Sequence, residues 1–130
     1  MNTIKSPQLE KDIGTAYLFG SQATGKNGPL SDYDIAILFD ETVPEKDYFD
    51  KKLELIGKFS QFYKTNKIDL VILNTAPNLL AMNVISEGKI LFEKDKDYRI
   101  AFETHVMSCY YDRLPYEIRY SEALLNRLSA

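Results

Sequence analysis

Residues 15–39 read TAYLFGSQATGKNGPLSDYDIAILF, and the order of residue types along them sets the architecture. Thr15 to Phe19 is β-branched, aromatic and apolar and has a glycine on either side, the pattern of a buried strand. Gly20 to Ser31 is rich in turn formers, with Gly25, Asn27, Gly28 and Pro29, and reads as a loop. Asp34 to Phe39 (DIAILF) is a second buried strand, and Ile68 to Leu73 (IDLVIL) is a third. All three are apolar on both faces, so cover is expected on both sides of the sheet.

Helical patterns fill the intervals. Ser6 followed by Pro7 starts a short helix that Gly14 is placed to stop. Thr42-Val43-Pro44-Glu45 has the spacing of a capping box. Phe49, Leu53, Ile56, Phe59 and Tyr63 then recur at three and four residues, which predicts an amphipathic helix over 45–64, ended by Asn66. Thr75 and Pro77 open another helix that Gly88 closes, and Lys89 to Phe92 is a short fourth strand. Asp95 can cap a last long helix with Phe102, Val106, Cys109 and Tyr110 on one face, until Pro115 interrupts or kinks it; Tyr116 to Leu128 is helical again. Strands alternating with helices define an α/β layered fold, with helices packed against a sheet.

The 130 residues suit a single domain over 1–130. With 45% hydrophobic and 27% charged residues the composition is that of an ordinary globular chain. One cysteine, Cys109, excludes an internal disulfide framework, favours a reducing compartment and is expected to be a small buried hydrophobe. The N-terminus lacks the apolar core of a signal peptide and no apolar run is long enough to span a bilayer, so the expected location is the cytoplasm, with no membrane partner. A formal net charge of −3 argues against direct nucleic-acid binding through a basic surface.

The chemistry lies in Gly20-Ser21, ten residues, then Asp32-Tyr33-Asp34. Residues i and i+2 of a strand share a side, so Asp32 and Asp34 converge where their strand begins. Two hard oxygen donors side by side invite Mg²⁺. Asp69 is the charged residue of an otherwise apolar strand and needs a partner or a metal. If its strand lies beside that of Asp34, three carboxylates can hold two divalent ions against a triphosphate. Gly20 and Ser21, just past the first strand, suit close backbone approach to phosphate, and Lys26 adds positive charge. GSQATGKNG lacks the Walker spacing, and the D-Y-D stretch lacks the later Gly and Glu of an EF-hand. His105, four residues before Cys109, reads as a surface or core histidine.

Gly20, Ser21, Asp32 and Asp34 form the pattern GS-x10-D-x-D, with Asp69 at a third acidic position. By these residues the sequence resembles the nucleotidyltransferase superfamily that includes DNA polymerase beta, and within it the minimal nucleotidyltransferase (MNT) group. The resemblance also takes in the GKILFEKD segment and the final helix with Arg99 and Glu103. It implies a nucleotidyltransferase fold with a mixed β-sheet, two Mg²⁺ ions held by Asp32, Asp34 and Asp69, and ATP as donor. It also implies a partner: many stand-alone MNT proteins are antitoxins that neutralise a HEPN-domain ribonuclease toxin, in a hetero-oligomer, by transferring AMP to a toxin tyrosine. Many relatives carry arginines shortly after the Gly-Ser, where this chain has Gln22 and Thr24, which shifts the phosphate grip to Lys26, Arg99 or backbone groups. Two other readings are nucleotide transfer to a small molecule such as an aminoglycoside, and an antitoxin that binds its toxin without catalysis.

Overall fold

The computed structural model describes residues 11–20 and 32–129; within the last helix the side chains of 114–118, 120, 121, 124, 128 and 129 are outside that description. The elements are β1 (Ile13–Phe19), β2 (Tyr33–Phe39), α1 (Tyr48–Tyr63), β3 (Ile68–Ile72), α2 (Asn78–Glu87), β4 (Lys89–Glu93) and α3 (Lys96–Ser129). One sheet has the order β3-β2-β1-β4. β1 is antiparallel to both β2 and β4, and β2 is parallel to β3, so the expected mixed four-stranded sheet is present. Parallel pairing of β2 with β3 follows from the helix between them, because a crossover returns the chain to start β3 at the same end as β2.

The two faces of the sheet are buried against different helices. On one, Ala16, Ile35, Ile37, Phe39 and Leu70 pack against Leu55 and Phe59 of α1. On the other, Tyr17, Ala36 and Leu38 meet Ala81 and Val84 of α2 and Val106 of α3. This double cover is why β1 and β2 are apolar at successive positions. No described helix is long and apolar enough to cross a membrane.

β1 begins at Ile13, two residues before the expected start. Gly14, expected to stop a helix, lies in the strand at a register shift, where an added Cβ would stand 3.2 Å from the Tyr98 ring. The expected start of a helix at Ser6-Pro7 and the loop over 21–31 lie outside the described residues.

Three expectations about helices are corrected. No capping box forms at Thr42: its hydroxyl donates to Asp40 Oδ2 at 2.6 Å, Glu45–Asp47 makes a 3₁₀ turn, and α1 starts at Tyr48 with no side-chain cap. Phe49 and Leu53 face outward, at 67% and 54% exposure, while Leu55 is buried. The cause is at the helix ends, where Tyr48 stacks on Phe39 at 4.9 Å and Tyr63 on Tyr33 at 4.2 Å. Those aromatic pairs at both ends of β2 fix the rotation of α1, and the neighbouring apolar stripe is left outside. The helix ends at Lys64, which adopts a left-handed conformation (φ 55°), before Asn66. Pro115 does not interrupt the last helix, which runs unbroken over Lys96–Ser129. Asp95 does cap it, accepting from the backbone N–H groups of Asp97 and Tyr98 at 3.0 and 3.2 Å. Pro77 and Gly88 flank α2 as expected.

Candidate active site

β1 leaves the sheet at the end where β2 and β3 enter it. There Asp34 is the register partner of Phe19 in β1 and of Asp69 in β3, so Asp34 and Asp69 are direct cross-strand neighbours on one face. That face also carries Ala36, Leu38 and Tyr17, the side covered by α2 and α3. Asp32, one residue before β2, is exposed, as is Asp69; Asp34 is half-buried. The start of β2 is fixed twice: Tyr33 N–H donates to Lys67 O at 2.9 Å, and the Tyr33 ring stacks on Tyr63 across the opposite face. The sequence reading missed this brace, although alternation about Asp32 and Asp34 turns Tyr33 to the other face.

Gly20 is pressed against the carboxylates. It has φ +71°, and an added Cβ would lie 2.2 Å from Asp34 Oδ2. Its freedom as glycine therefore serves both the turn after β1 and the space that the Asp34 carboxylate occupies. Ser21 and Lys26 lie outside the described residues.

Electrostatically the cluster is under tension. Burial, then the Asp69 charge, then the Asp32 charge raise the Asp34 carboxyl above its ordinary value. Among the described residues no lysine or arginine forms an ion pair with any of the three. Nor do three Asp, Glu, His or Cys side chains among them stand in an arrangement ready to hold one metal ion. The backbone thus brings the acids to one place while their side chains are not closed into a cage. Half-burial of a carboxylate beside two others with no basic partner is costly unless a cation is supplied, and the donor set fits a hard divalent ion.

Arg99 does not face this cluster. Its guanidinium pairs with Glu93 and, through Nη1 alone, with both carboxylate oxygens of Glu103 at 2.9 and 3.0 Å, and Glu93 lies at the far end of β4. This corrects the expectation that Arg99 could grip phosphate. A hollow of about 170 Å³ among Leu73, Asn78, Phe102, His105 and Val106 follows the C-terminal end of β3, and none of the three aspartates lines it. His105 is exposed with Nε2 3.6 Å from Cys109 Sγ, and Cys109 is half-buried rather than enclosed.

A mixed sheet with a Gly turn set against two in-register acids defines a nucleotidyltransferase-type protein. The chain belongs to the polymerase beta nucleotidyltransferase family, whose model matches residues 2–97. It is 36% identical over 95 residues to the protein adenylyltransferase MntA of Aphanizomenon flos-aquae, a match covering 69% of this chain and 63% of that protein's length. Among solved structures it is similar to a toxin-antitoxin with AMP-PNP, with TM-score 0.65, 28% identity, and 92% of this chain and 88% of that one covered. It is also similar to a tri-AMPylated Shewanella oneidensis HEPN toxin in complex with MNT antitoxin, with TM-score 0.61, 26% identity, and 96% and 90% covered.

Proposed function

We propose that this protein is a cytoplasmic antitoxin that transfers AMP from ATP to a tyrosine of a cognate HEPN toxin and so neutralises it. The observation that carries this reading is the cross-strand pairing of Asp34 with Asp69 beside Gly20. The relationship to the MntA adenylyltransferase and the likeness to solved complexes with a HEPN toxin and with AMP-PNP support it.

Asp32, Asp34 and Asp69 would hold two Mg²⁺ ions. Asp32 and Asp69 are exposed, so their side chains can turn toward Asp34 when a cation repays the repulsion. When bound, the ions supply charge neutralisation at the α-phosphate and at the departing pyrophosphate. Gly20 lets the backbone approach the triphosphate, and Ser21 and Lys26 donate to its oxygens. The acceptor phenol would attack the α-phosphorus in line, forming the new P–O bond as the bond to pyrophosphate breaks and the phenolic proton passes to water.

Intact-mass measurement of a HEPN toxin incubated with this protein, ATP and Mg²⁺ tests the reading. A gain in steps of one AMP, absent with Asp34→Asn, is expected. Neutralisation of the toxin with no mass gain would replace catalysis by binding alone.

A further inference from the structure

Lys67 stands one residue before β3, and the pairing of β3 with β2 carries it to the acids. The register joins Tyr33 to Ile68 and Asp34 to Asp69, so one step further back Lys67 lies opposite Asp32. The backbone there is held on both groups: the Lys67 N–H donates to Thr65 Oγ1 at 3.2 Å, and its carbonyl accepts from the Tyr33 N–H at 2.9 Å. Ile68, Leu70 and Ile72 pack on the α1 side of the sheet. Alternation therefore places Lys67 on the other face, with Asp69. Lys89, which begins β4 opposite Leu18, belongs instead to the α1 side, where Leu18 packs. Lys67 is exposed, as are Asp32 and Asp69, and it forms no ion pair with the acids.

Its place relative to Gly20 decides what that charge can do. The strand order puts Gly20, at the end of β1, on one side of Asp34 and Lys67, at the start of β3, on the other. In-line displacement at phosphorus sets the attacking and departing oxygens on opposite sides of the transferred group. With the triphosphate at the Gly20 turn, pyrophosphate leaves on the β1 side and the acceptor oxygen enters on the β3 side. β3 is an edge strand of the sheet, so a partner protein can approach there without displacing a neighbouring strand. The acceptor of the proposed reaction is a phenol, which ionises near about pH 10 in water and is a poor nucleophile while it keeps its proton. A positive charge beside the oxygen favours the ionised form, whereas the carboxylates oppose it.

Resting on the proposed function, we infer that Lys67 is a catalytic residue on the acceptor side, its ammonium donating a hydrogen bond to the incoming phenol oxygen and stabilising the negative charge gathered there during attack. The new P–O bond forms, the bond to pyrophosphate breaks and the phenolic proton passes to water. Lys67 contributes charge only.

The test follows AMP transfer from ATP to a purified HEPN toxin by intact mass, with the full chain and Mg²⁺, beside calorimetric binding of ATP and Mg²⁺ to the protein alone. Lys67→Met, of similar length but neutral, should slow transfer at saturating ATP by about 10²-fold, the scale of one lost charge-stabilising donor, while ATP binding stays within about twofold. Lys67→Arg, which keeps the charge, should recover transfer to within about fivefold. Because the side chain is exposed, all three proteins should melt alike. Transfer by Lys67→Met within twofold of the unaltered protein would overturn the inference and leave the proposed function standing. A deficit that lies wholly in ATP binding would overturn it in favour of a grip on phosphate, and an equal loss in Lys67→Arg would overturn the role of charge. Failure of the unaltered protein to modify the toxin would remove the proposed function, and this role with it.

Discussion

The two ends of β2 carry an aspartate each, and the molecule treats them in opposite ways. At the far end Asp40 accepts from the Thr42 hydroxyl and backbone N–H and pairs with Lys94 at 3.2 Å; the Thr42 hydroxyl bond, with the help of Lys94, lowers its carboxyl below the ordinary value. The adjoining Phe39 is held on both backbone groups, its N–H by Asn74 Oδ1 at 2.8 Å and its carbonyl by Asn74 Nδ2 and the Tyr98 hydroxyl. At the near end Asp34 sits against two like charges and its carboxyl is raised. One end is satisfied from within the chain, whereas at the other no described lysine or arginine pairs with the aspartates, as the proposed cation site requires.

The sharpest way to break this contrast is Asp69→Asn. If Asp34 and Asp69 jointly hold a cation, AMP transfer should fall roughly 10³-fold, the several kcal/mol that a divalent ion supplies to phosphoryl chemistry. Transfer within tenfold of the unaltered protein would separate the two residues functionally. Next in size is Gly20→Ala, whose Cβ would meet Asp34 Oδ2 and whose φ of +71° costs a non-glycine residue about 1–2 kcal/mol. Kinetics should show a loss of tens-fold in rate, with a smaller loss of melting temperature.

At the satisfied end, Asn74→Ala strips Phe39 of both side-chain amide bonds. A destabilisation of about 1–3 kcal/mol in urea unfolding is expected, with transfer per folded molecule retained. Loss of activity without loss of stability would contradict the division of labour. The smallest effect has the opposite sign. Because the folded-state value of Asp34 is raised, its ionised form opposes folding at neutral pH; the contribution favours folding below the unfolded carboxylate value and is lost as pH rises through the folded one. Asp34→Asn should therefore melt higher than the unaltered protein at pH 7 without Mg²⁺, and the difference should shrink as pH falls and as Mg²⁺ and ATP are added. A lower melting temperature at pH 7 would show that Asp34 is paired in solution.

Much of this was legible in the residues. Apolar β-branched runs gave the strands, and Gly20 with Asp32-Tyr33-Asp34 marked the end of the sheet where the acids gather, because local backbone preference and period-two alternation need no distant partner. The outward turn of Phe49 and Leu53 was not legible, since two adjacent apolar stripes on α1 satisfy the same helical periodicity and only stacking on Phe39 and Tyr33 chooses between them. Nor was the engagement of Arg99, which depends on α3 starting where β4 ends.

Sequence by itself determined the approximate places of the four strands and of three helices, and that carboxylates and a glycine turn share one stretch of chain. Tertiary structure alone decided that Asp69 stands opposite Asp34, that Asn74 reaches 35 residues back to Phe39, and which helix faces meet water. The reason is range: propensity and alternation act over a few residues, whereas strand register and side-chain pairing across the sheet are set by the packing of both faces at once.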